Sequence, residues 1–538
     1  MKVLTAAQMR AVDRRTVELG IAGVILMENA AHRVVEFLEK RFAPLSAQRI
    51  VVLCGKGNNG GDGMAIAREL HVRFGSRALH VVLIAAPDEL KGDAAANYRM
   101  LLVSGCRIWR QIPPEARSAT LVVDALLGTG IAGPAAGLML QGIREINHGF
   151  PLAKVVAVDL PSGMPSDSGE PVGECARADH TVTFTAPKVA HALPPNCDGL
   201  GELTVAPIGS PPELFEEDDA VFLSLIDPGM FRALLAPRPR SGHKGTFGHV
   251  LVVAGSSGKT GAAAMTGLGA LRAGAGLVTV ASAASAVPLI ASHAPELMTV
   301  PLAENDAGTI GDGVDLGAIA EGKTVVAMGP GLGRHPDIDA LVTRAVQLEQ
   351  PLILDADALS GAGLLACLLA ARQCRKAKPP YRRPDPLKAS PQAGLPAPLI
   401  LTPHPGEMAR LTGKSTEEIQ KDRVGAARAF ATEHCVTLVL KGERTAIAFP
   451  DGRVWINPTG TPAMGTGGSG DVLTGMIAGL LAQFPEDPDG AVAAAVYLHG
   501  LAGEIGARAL GEKCLIATDI LEYLPDAMEE CADVSHGD

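Results

Sequence analysis

RIVVLCGKGNNGGDGMAIARELHVRF (49–74) contains the reading that decides the fold. Its opening residues form a continuous apolar run of strand length. A strand without alternation is buried on both faces. Glycines and an acid break the run at 55–63, and a helix-like stretch follows. The same unit recurs at ALHVVLIAA (78–86), TLVVDALLG (120–128) and KVVAVDLPSG (154–163). It restarts at HVLVVAGS (249–256), KTVVAMGPG (323–331), PLILDADAL (351–359), PLILTPHPG (398–406) and VTLVLKG (436–442). Buried strands separated by helices specify parallel sheets with helices on both faces, an α/β fold. The rhythm lapses across SPPELFEEDDAVFLSLIDPGMFRALLAPRPRSGHKG (210–245), acidic and then proline-rich. Two α/β domains are therefore expected, 1–220 and 221–538, with no short-period repeat.

Composition narrows the classes. The chain has 538 residues, 47% of them hydrophobic and 20% charged, which is globular usage. The net charge of −11 opposes nucleic acid and anionic membranes as partners. With 12 Phe, 4 Tyr and 2 Trp, stacking platforms for single strands are also scarce. Nine cysteines, an odd number without a Cys-x-x-Cys pair, suit neither a disulfide framework nor a cysteine-rich zinc site, so a reducing compartment is expected. Asp13, Arg14 and Arg15 stand where a signal peptide needs its apolar segment, and no run of 18 uninterrupted apolar residues occurs. The reading is a cytoplasmic protein.

Ligands of open parallel sheets sit outside the carboxyl ends of the strands. Gly55, Gly57 and Gly60 satisfy G-x-G-x-x-G, but so do Gly128, Gly130 and Gly133, and neither set is followed by a ribose-binding acid. The rarer feature is Asn58 to Gly63, where glycines let backbone N–H groups approach an anion beside two carboxamides and a carboxylate. Asp124, and Asp159 with Ser162, end two further buried strands. Three oxygen-rich loops at one sheet edge suit a monovalent cation and a phosphorylated ligand. In the second domain Gly258, Lys259 and Thr260 imitate the end of a Walker loop, but Val253 stands where its first glycine must be. The stretch TGGSGD (466–471) is the better phosphate cradle, opening an apolar helix. Asp471 there can take a proton from a hydroxyl attacking a phosphoryl group.

GNNGGDG (57–63), DALLGTG (124–130), DLPSG (159–163) and ADHTVTFTAPK (178–188) stand in the order and spacing of NAD(P)H-hydrate epimerase domains, a resemblance covering roughly 1–215. It implies NAD(P)HX, a nicotinamide dinucleotide hydrated on its ring, as ligand and a potassium ion in the site. Carried over by motif, Asn58, Asn59, Gly60, Gly61, Asp62, Gly128, Thr129, Gly130, Ile131, Ala132, Gly133, Pro134 and Asp159 hold the ligand. Asn59, Asp124 and Ser162 hold the potassium, Asp124 or Asp159 is the acid/base, and Lys188 is a strand-end salt-bridge partner.

HKGTFGHVLVVAGS (243–256), GAAAMTGLGALRAGAGLVTVA (261–281), MGPGLGR (328–334), LILDADAL (352–359), LTPHPGEMARLTG (401–413) and GTGGSGDVLTGMIAGLLAQ (465–483) resemble the ADP/ATP-dependent NAD(P)HX dehydratases of the ribokinase-like superfamily, over about 225–530. By that resemblance Ala262, Gly331 or Gly333, His404 and Asp471 contact the hydrated dinucleotide. Lys441, Gly442, Glu443, Arg444, Thr445 and Gly470 bind the adenine nucleotide, ADP with Mg²⁺ in bacterial members. The implied architecture is an N-terminal Rossmann-like three-layer sandwich followed by a ribokinase-like α/β domain, acting on NADHX and NADPHX. Association into homo-oligomers is also implied. A kinase for a vitamin precursor would share the anion hole, and a non-enzymatic first domain would merely steady the second. The basic, proline-rich segment 372–398 departs from the family pattern and reads as a solvated insertion.

Overall fold

The computed structural model describes residues 1–75, 78–131, 133–361, 363–376 and 397–533. Most of the basic insert, and Ala132, lie outside them. The chain divides into two compact units, Met1–Leu223 and Ser224–Asp538.

The first unit is built on seven strands: β1 (Ile50–Cys54), β2 (Leu79–Leu83), β3 (Ile108–Trp109), β4 (Leu121–Ala125), β5 (Lys154–Val158), β6 (His180–Phe184) and β7 (Glu202–Ala206). They lie in the order β3-β2-β1-β4-β5-β6-β7, every pairing parallel. The uninterrupted apolar runs have a direct explanation in β1. Ile50, Val52 and Cys54 enter one hydrophobic cluster while Val51 and Leu53 enter another on the opposite face. Helices Gly23–Phe42, Asn58–Phe74 and Gly92–Val103 supply the first cluster, and Gly137–His148 the second. Chain order reverses between β1 and β4, whose ends are in register at Leu53 and Asp124. Loops diverge at such a reversal and leave a crevice.

An N-terminal helix, Ala6–Glu18, completes this unit. Thr5 and Gln8 form a capping box at its start, and the Ala6 N–H donates to Asp167 Oδ1 at 2.6 Å. Leu4 bridges to Lys188, and Met9 and Val12 pack with Ala186, Leu214, Phe215 and Val221. The helix is thereby fixed against the loop after β6.

The second unit contains β8 (Leu223–Leu225) at its edge, then β9 (His249–Val253), β10 (Leu277–Ala283), β11 (Met298–Leu302), β12 (Val325–Met328), β13 (Leu352–Leu354), β14 (Leu399–Leu401), β15 (Thr437–Leu440), β16 (Ala446–Ala448) and β17 (Val454–Ile456). The sheet order is β11-β10-β9-β12-β13-β14-β15-β16-β17-β8. Strands up to β15 pair in parallel, while β15-β16 and β16-β17 are antiparallel. Order reverses again between β9 and β12. Helix Ser469–Gln483 is buried almost throughout and packs on Thr260–Arg272 through small residues. A Cβ on Gly475 would overlap the Thr266 carbonyl, and one on Gly479 the Ala270 carbonyl. Helix Pro488–Leu510 is long and apolar enough to cross a membrane by length and composition alone, but 78% of its most apolar window is buried in the molecule.

Candidate functional site

The first crevice is a cavity of about 1220 Å³ at the β1/β4 reversal. The loop after β1 enters helix Asn58–Phe74 directly, so Asn58 to Gly61 occupy its first turn and Asp62 follows it. Asn58, Asn59 and Asp62 line the cavity, as do Gly128, Thr129, Gly130, Ile131, Gly133, Pro134 and Asp159. Gly60 and Gly61 instead lie buried beneath it. Gly60 has to be glycine because a Cβ would overlap the Gly55 carbonyl.

Asp124 and Ser162 sit behind the lining, both fully buried. The Ser162 N–H donates to Asp124 Oδ2 at 2.8 Å and its hydroxyl to Asp124 Oδ1. The Leu127 N–H donates to Ser162 Oγ at 2.9 Å, and Asn59 Nδ2 donates to the Leu127 carbonyl at 2.9 Å. Asn59 Oδ1 is buried and has no hydrogen-bond partner among the described residues. Burial pushes the Asp124 carboxyl up to about 6, against the hydrogen bonds from Ser162 and Leu126 that lower it. An orphaned amide oxygen, a carboxylate short of positive charge and a hydroxyl beside one backbone segment make a donor set suited to a hard monovalent cation.

Asp159 follows β5 in the left-handed region, φ 67°, a strained placement for a non-glycine residue. Its Oδ1 accepts from Lys188 Nζ at 2.6 Å and from Thr183 Oγ1 at 2.9 Å. Burial acts to raise Asp159, but the Lys188 ammonium, with smaller help from His191 and Thr183, outweighs it and holds the carboxyl below its usual range. Lys188 is only 1% exposed and gives further hydrogen bonds to Thr183 Oγ1 and the Phe184 carbonyl.

In the second unit Gly468, φ 94°, turns the chain into helix Ser469–Gln483, and Gly470 and Asp471 fall in the first turn. This left-handed cap favours glycine. Behind them is the fully buried Asp355, at the end of β13. Its Oδ1 accepts from Lys441 Nζ at 2.6 Å and Thr402 Oγ1 at 2.7 Å, and its Oδ2 from Thr474 Oγ1 at 2.9 Å. Burial works against the Lys441 ammonium, but Asp355, Glu407 and Asp471 more than compensate and hold its pKa above the usual lysine value. Burial, with Asp355, Asp357 and Glu407, pushes Asp471 up to about 6 against the lowering effect of Lys441.

The remaining sequence-derived residues gather around this cluster. Gly331 backs onto Ala262, and the Gly333 N–H donates to Asp357 Oδ2 at 2.9 Å. Lys259, from the false Walker loop, reaches the same carboxylate at 3.1 Å. His404 caps helix Pro405–Thr412 through Nδ1, with Nε2 3.2 Å from Glu407 Oε1 and its side chain 53% exposed. Lys441 ends β15, its N–H bonded to the Pro403 carbonyl, and Gly442 to Thr445 make the turn into β16. Arg444 takes φ 51° there, Glu443 acts electrostatically on Arg423, and the Thr445 hydroxyl donates to the Gly442 carbonyl at 2.9 Å. Sequence reasoning missed Asp355, Asp357, Glu407 and, in the first unit, Asp13. The acids at strand ends in LILDADAL were the available signal for the first two.

Comparison with known proteins gives two family matches: "YjeF-related protein N-terminus" over residues 23–190, and "NAD(P)H-hydrate dehydratase" over 250–375 and 386–526. The bifunctional NAD(P)H-hydrate repair enzyme Nnr of Moorella thermoacetica is 41% identical over 98% of this chain and 96% of its own. Its counterpart in Coxiella burnetii is 37% identical over 96% and 97%. Among solved structures, the ADP/ATP-dependent NAD(P)H-hydrate dehydratase of Bacillus subtilis, co-crystallised with ATP and Mg²⁺, is 34% identical with a TM-score of 0.47, covering 57% of this chain and 98% of that one. With a family match on each α/β unit and full-length relatives at this identity, the chain belongs to the family of bifunctional NAD(P)H-hydrate repair enzymes.

Proposed function

We propose that the first unit interconverts the R and S epimers of NAD(P)HX and that the second dehydrates the S epimer to NAD(P)H, using ADP and Mg²⁺ and releasing AMP and phosphate. The observation carrying this reading is the juxtaposition of Lys441, Asp471 and the Gly468–Gly470 helix start around Asp355. Hydroxide leaves poorly, whereas a phosphorylated ring hydroxyl departs as phosphate. In this reading Asp471 accepts the hydroxyl proton as the oxygen attacks the phosphoryl group, the helix N-terminus and Lys441 stabilise the transferring charge, and Ala262, Gly331, Gly333 and His404 seat the dinucleotide. Gly442, Glu443, Arg444 and Thr445 flank the nucleotide.

In the first unit Asn59, Asp124 and Ser162 would hold potassium, which supplies positive charge toward the ligand's phosphates. The helix start at Asn58 presents N–H donors to the same anion. No disulfide joins the described cysteines, which suits a reducing, cytoplasmic setting, and association of copies belongs to the same proposal.

The test mixes purified protein with both epimers of NADHX, ADP and Mg²⁺ and follows near-ultraviolet recovery of NADH together with AMP and phosphate. Wild type should recover NADH completely, Asp471→Ala should recover none, and Asp124→Ala should stall at the S fraction. No recovery with ADP or ATP overturns the reading, and a stable phosphorylated product would identify a small-molecule kinase.

A further inference from the structure

In the first cavity three carboxyls from three elements surround one ammonium. Asp159 follows β5, Asp62 lies just past the first turn of helix Asn58–Phe74, and Asp13 comes from helix Ala6–Glu18. Only Asp159 makes an ion pair with Lys188 among the described residues. Asp13 and Asp62 feel Lys188 and Asp159 at longer range. One buried cation cannot balance three half-buried carboxylates, and the partly desolvated wall relieves the excess by keeping protons.

Asp13 is held in place by packing. Met9 and Val12 are buried on one side of its helix, while Met9, Arg10, Asp13, Arg14 and Val17 line the cavity at helical spacing. The bridge from Leu4 to Lys188 ties the start of that helix to the ammonium's own backbone. The charged groups facing Asp13 are Asp62, Asp159 and Lys188 from other elements and Arg10 and Arg14 from its own. Lys56, Glu89, Asp93 and Arg110 complete the charged lining. His191, beside Lys188, is pushed down to about 3 by burial and then Lys188, and so stays neutral.

The three carboxyls differ in state. Burial pushes Asp13 up to about 6, with Lys188 lowering and Asp159 raising it, and raises Asp62 as well, whereas Asp159 is held ionised. A pair of acids pushed apart in this way supplies one proton donor and one acceptor.

Resting on the epimerase reading, we propose that Asp13 is the general acid of the epimerisation, acting with Asp159 as base. Water adding to an enamine places the hydroxyl on the carbon beside the ring nitrogen. The nitrogen lone pair forms the C=N bond as the C–O bond breaks. The departing oxygen takes the Asp13 proton and leaves as water. Water then returns to the opposite face of the iminium, forming the C–O bond and giving a proton to Asp159, and solvent carries that proton back to Asp13 before the next turnover. In the reverse direction the same two groups exchange their protons in reverse order.

The test follows R to S conversion by chiral separation without ADP, across pH 5 to 9, in wild type, Asp13→Asn, Asp13→Glu and Asp62→Asn, after subtracting spontaneous epimerisation. Dehydration of the S epimer with ADP, and thermal unfolding, count folded protein in each preparation. Wild-type kcat/KM should fall above about pH 6 as Asp13 loses its proton. Asp13→Asn should lower kcat by about 100-fold or more, leave KM within about threefold and abolish that alkaline limb, with partial rescue by Asp13→Glu. Retention of kcat within about threefold, a loss confined to KM, or an alkaline limb that vanishes in Asp62→Asn instead overturns the assignment. A folded wild type that interconverts no epimers overturns the reading beneath it.

Discussion

Asp471 joins function and stability with opposite signs. Its carboxyl is raised from 3.8 to about 6, so the folded protein binds a proton there more tightly than the unfolded chain does. The folded state is favoured through this group at low pH, and that contribution is lost as pH rises through about 6. The base role proposed for Asp471 needs the ionised form, so kcat/KM for dehydration should fall about tenfold per pH unit below 6, as a pH–rate profile will report. Asp471→Asn should be inactive yet more stable at pH 7, by roughly 1–3 kcal/mol in denaturant titration. Asp355 is the converse. Asp355→Asn leaves the Lys441 ammonium without its counter-ion and should lower stability by about 3 kcal/mol and raise KM for ADP. Asp471 was legible because it stands inside a local glycine pattern. Asp355 was not assigned a role because its partners, Lys441 and Thr474, lie 86 and 119 positions away, and nothing local announces them. Asp13 escaped for the same reason, reading simply as one charge on an amphipathic helix.

Among elements, the contact between helices Thr260–Arg272 and Ser469–Gln483 is the sensitive one, since Asp471 rides on the second. Gly475→Ala puts a methyl group against the Thr266 carbonyl and should cost about 1–3 kcal/mol, read as a lower Tm, while reducing dehydration more than epimerisation. The long parallel strands were legible because double-sided burial writes itself as unbroken apolar runs. The two-residue β3 and the antiparallel pair β16 and β17 were not, because strands of two or three residues are too short to show a period. Lys188 was expected as a strand-end salt-bridge partner and does pair with Asp159. Its near-complete burial at the centre of an acidic cavity followed from the helix docked over it, which no motif describes.

At the scale of the whole molecule, five hydrophobic clusters of the described residues each draw on one unit only. Chains 1–223 and 224–538 made separately should each unfold cooperatively, and their equimolar mixture should restore full NADH recovery from both epimers. Exchange of potassium for a bulky organic cation should halt recovery at the S fraction while leaving dehydration of pure S epimer intact. The long helix Pro488–Leu510 has a further consequence, which concerns synthesis. It emerges after β17, so the preceding strands spend the interval without a principal cover of their apolar face, and the helix itself leaves the ribosome with apolar surface that only those strands and its neighbouring helices bury. A ribosome stalled late in this message therefore releases a product far more hazardous to the cell than one stalled at the end of the first unit.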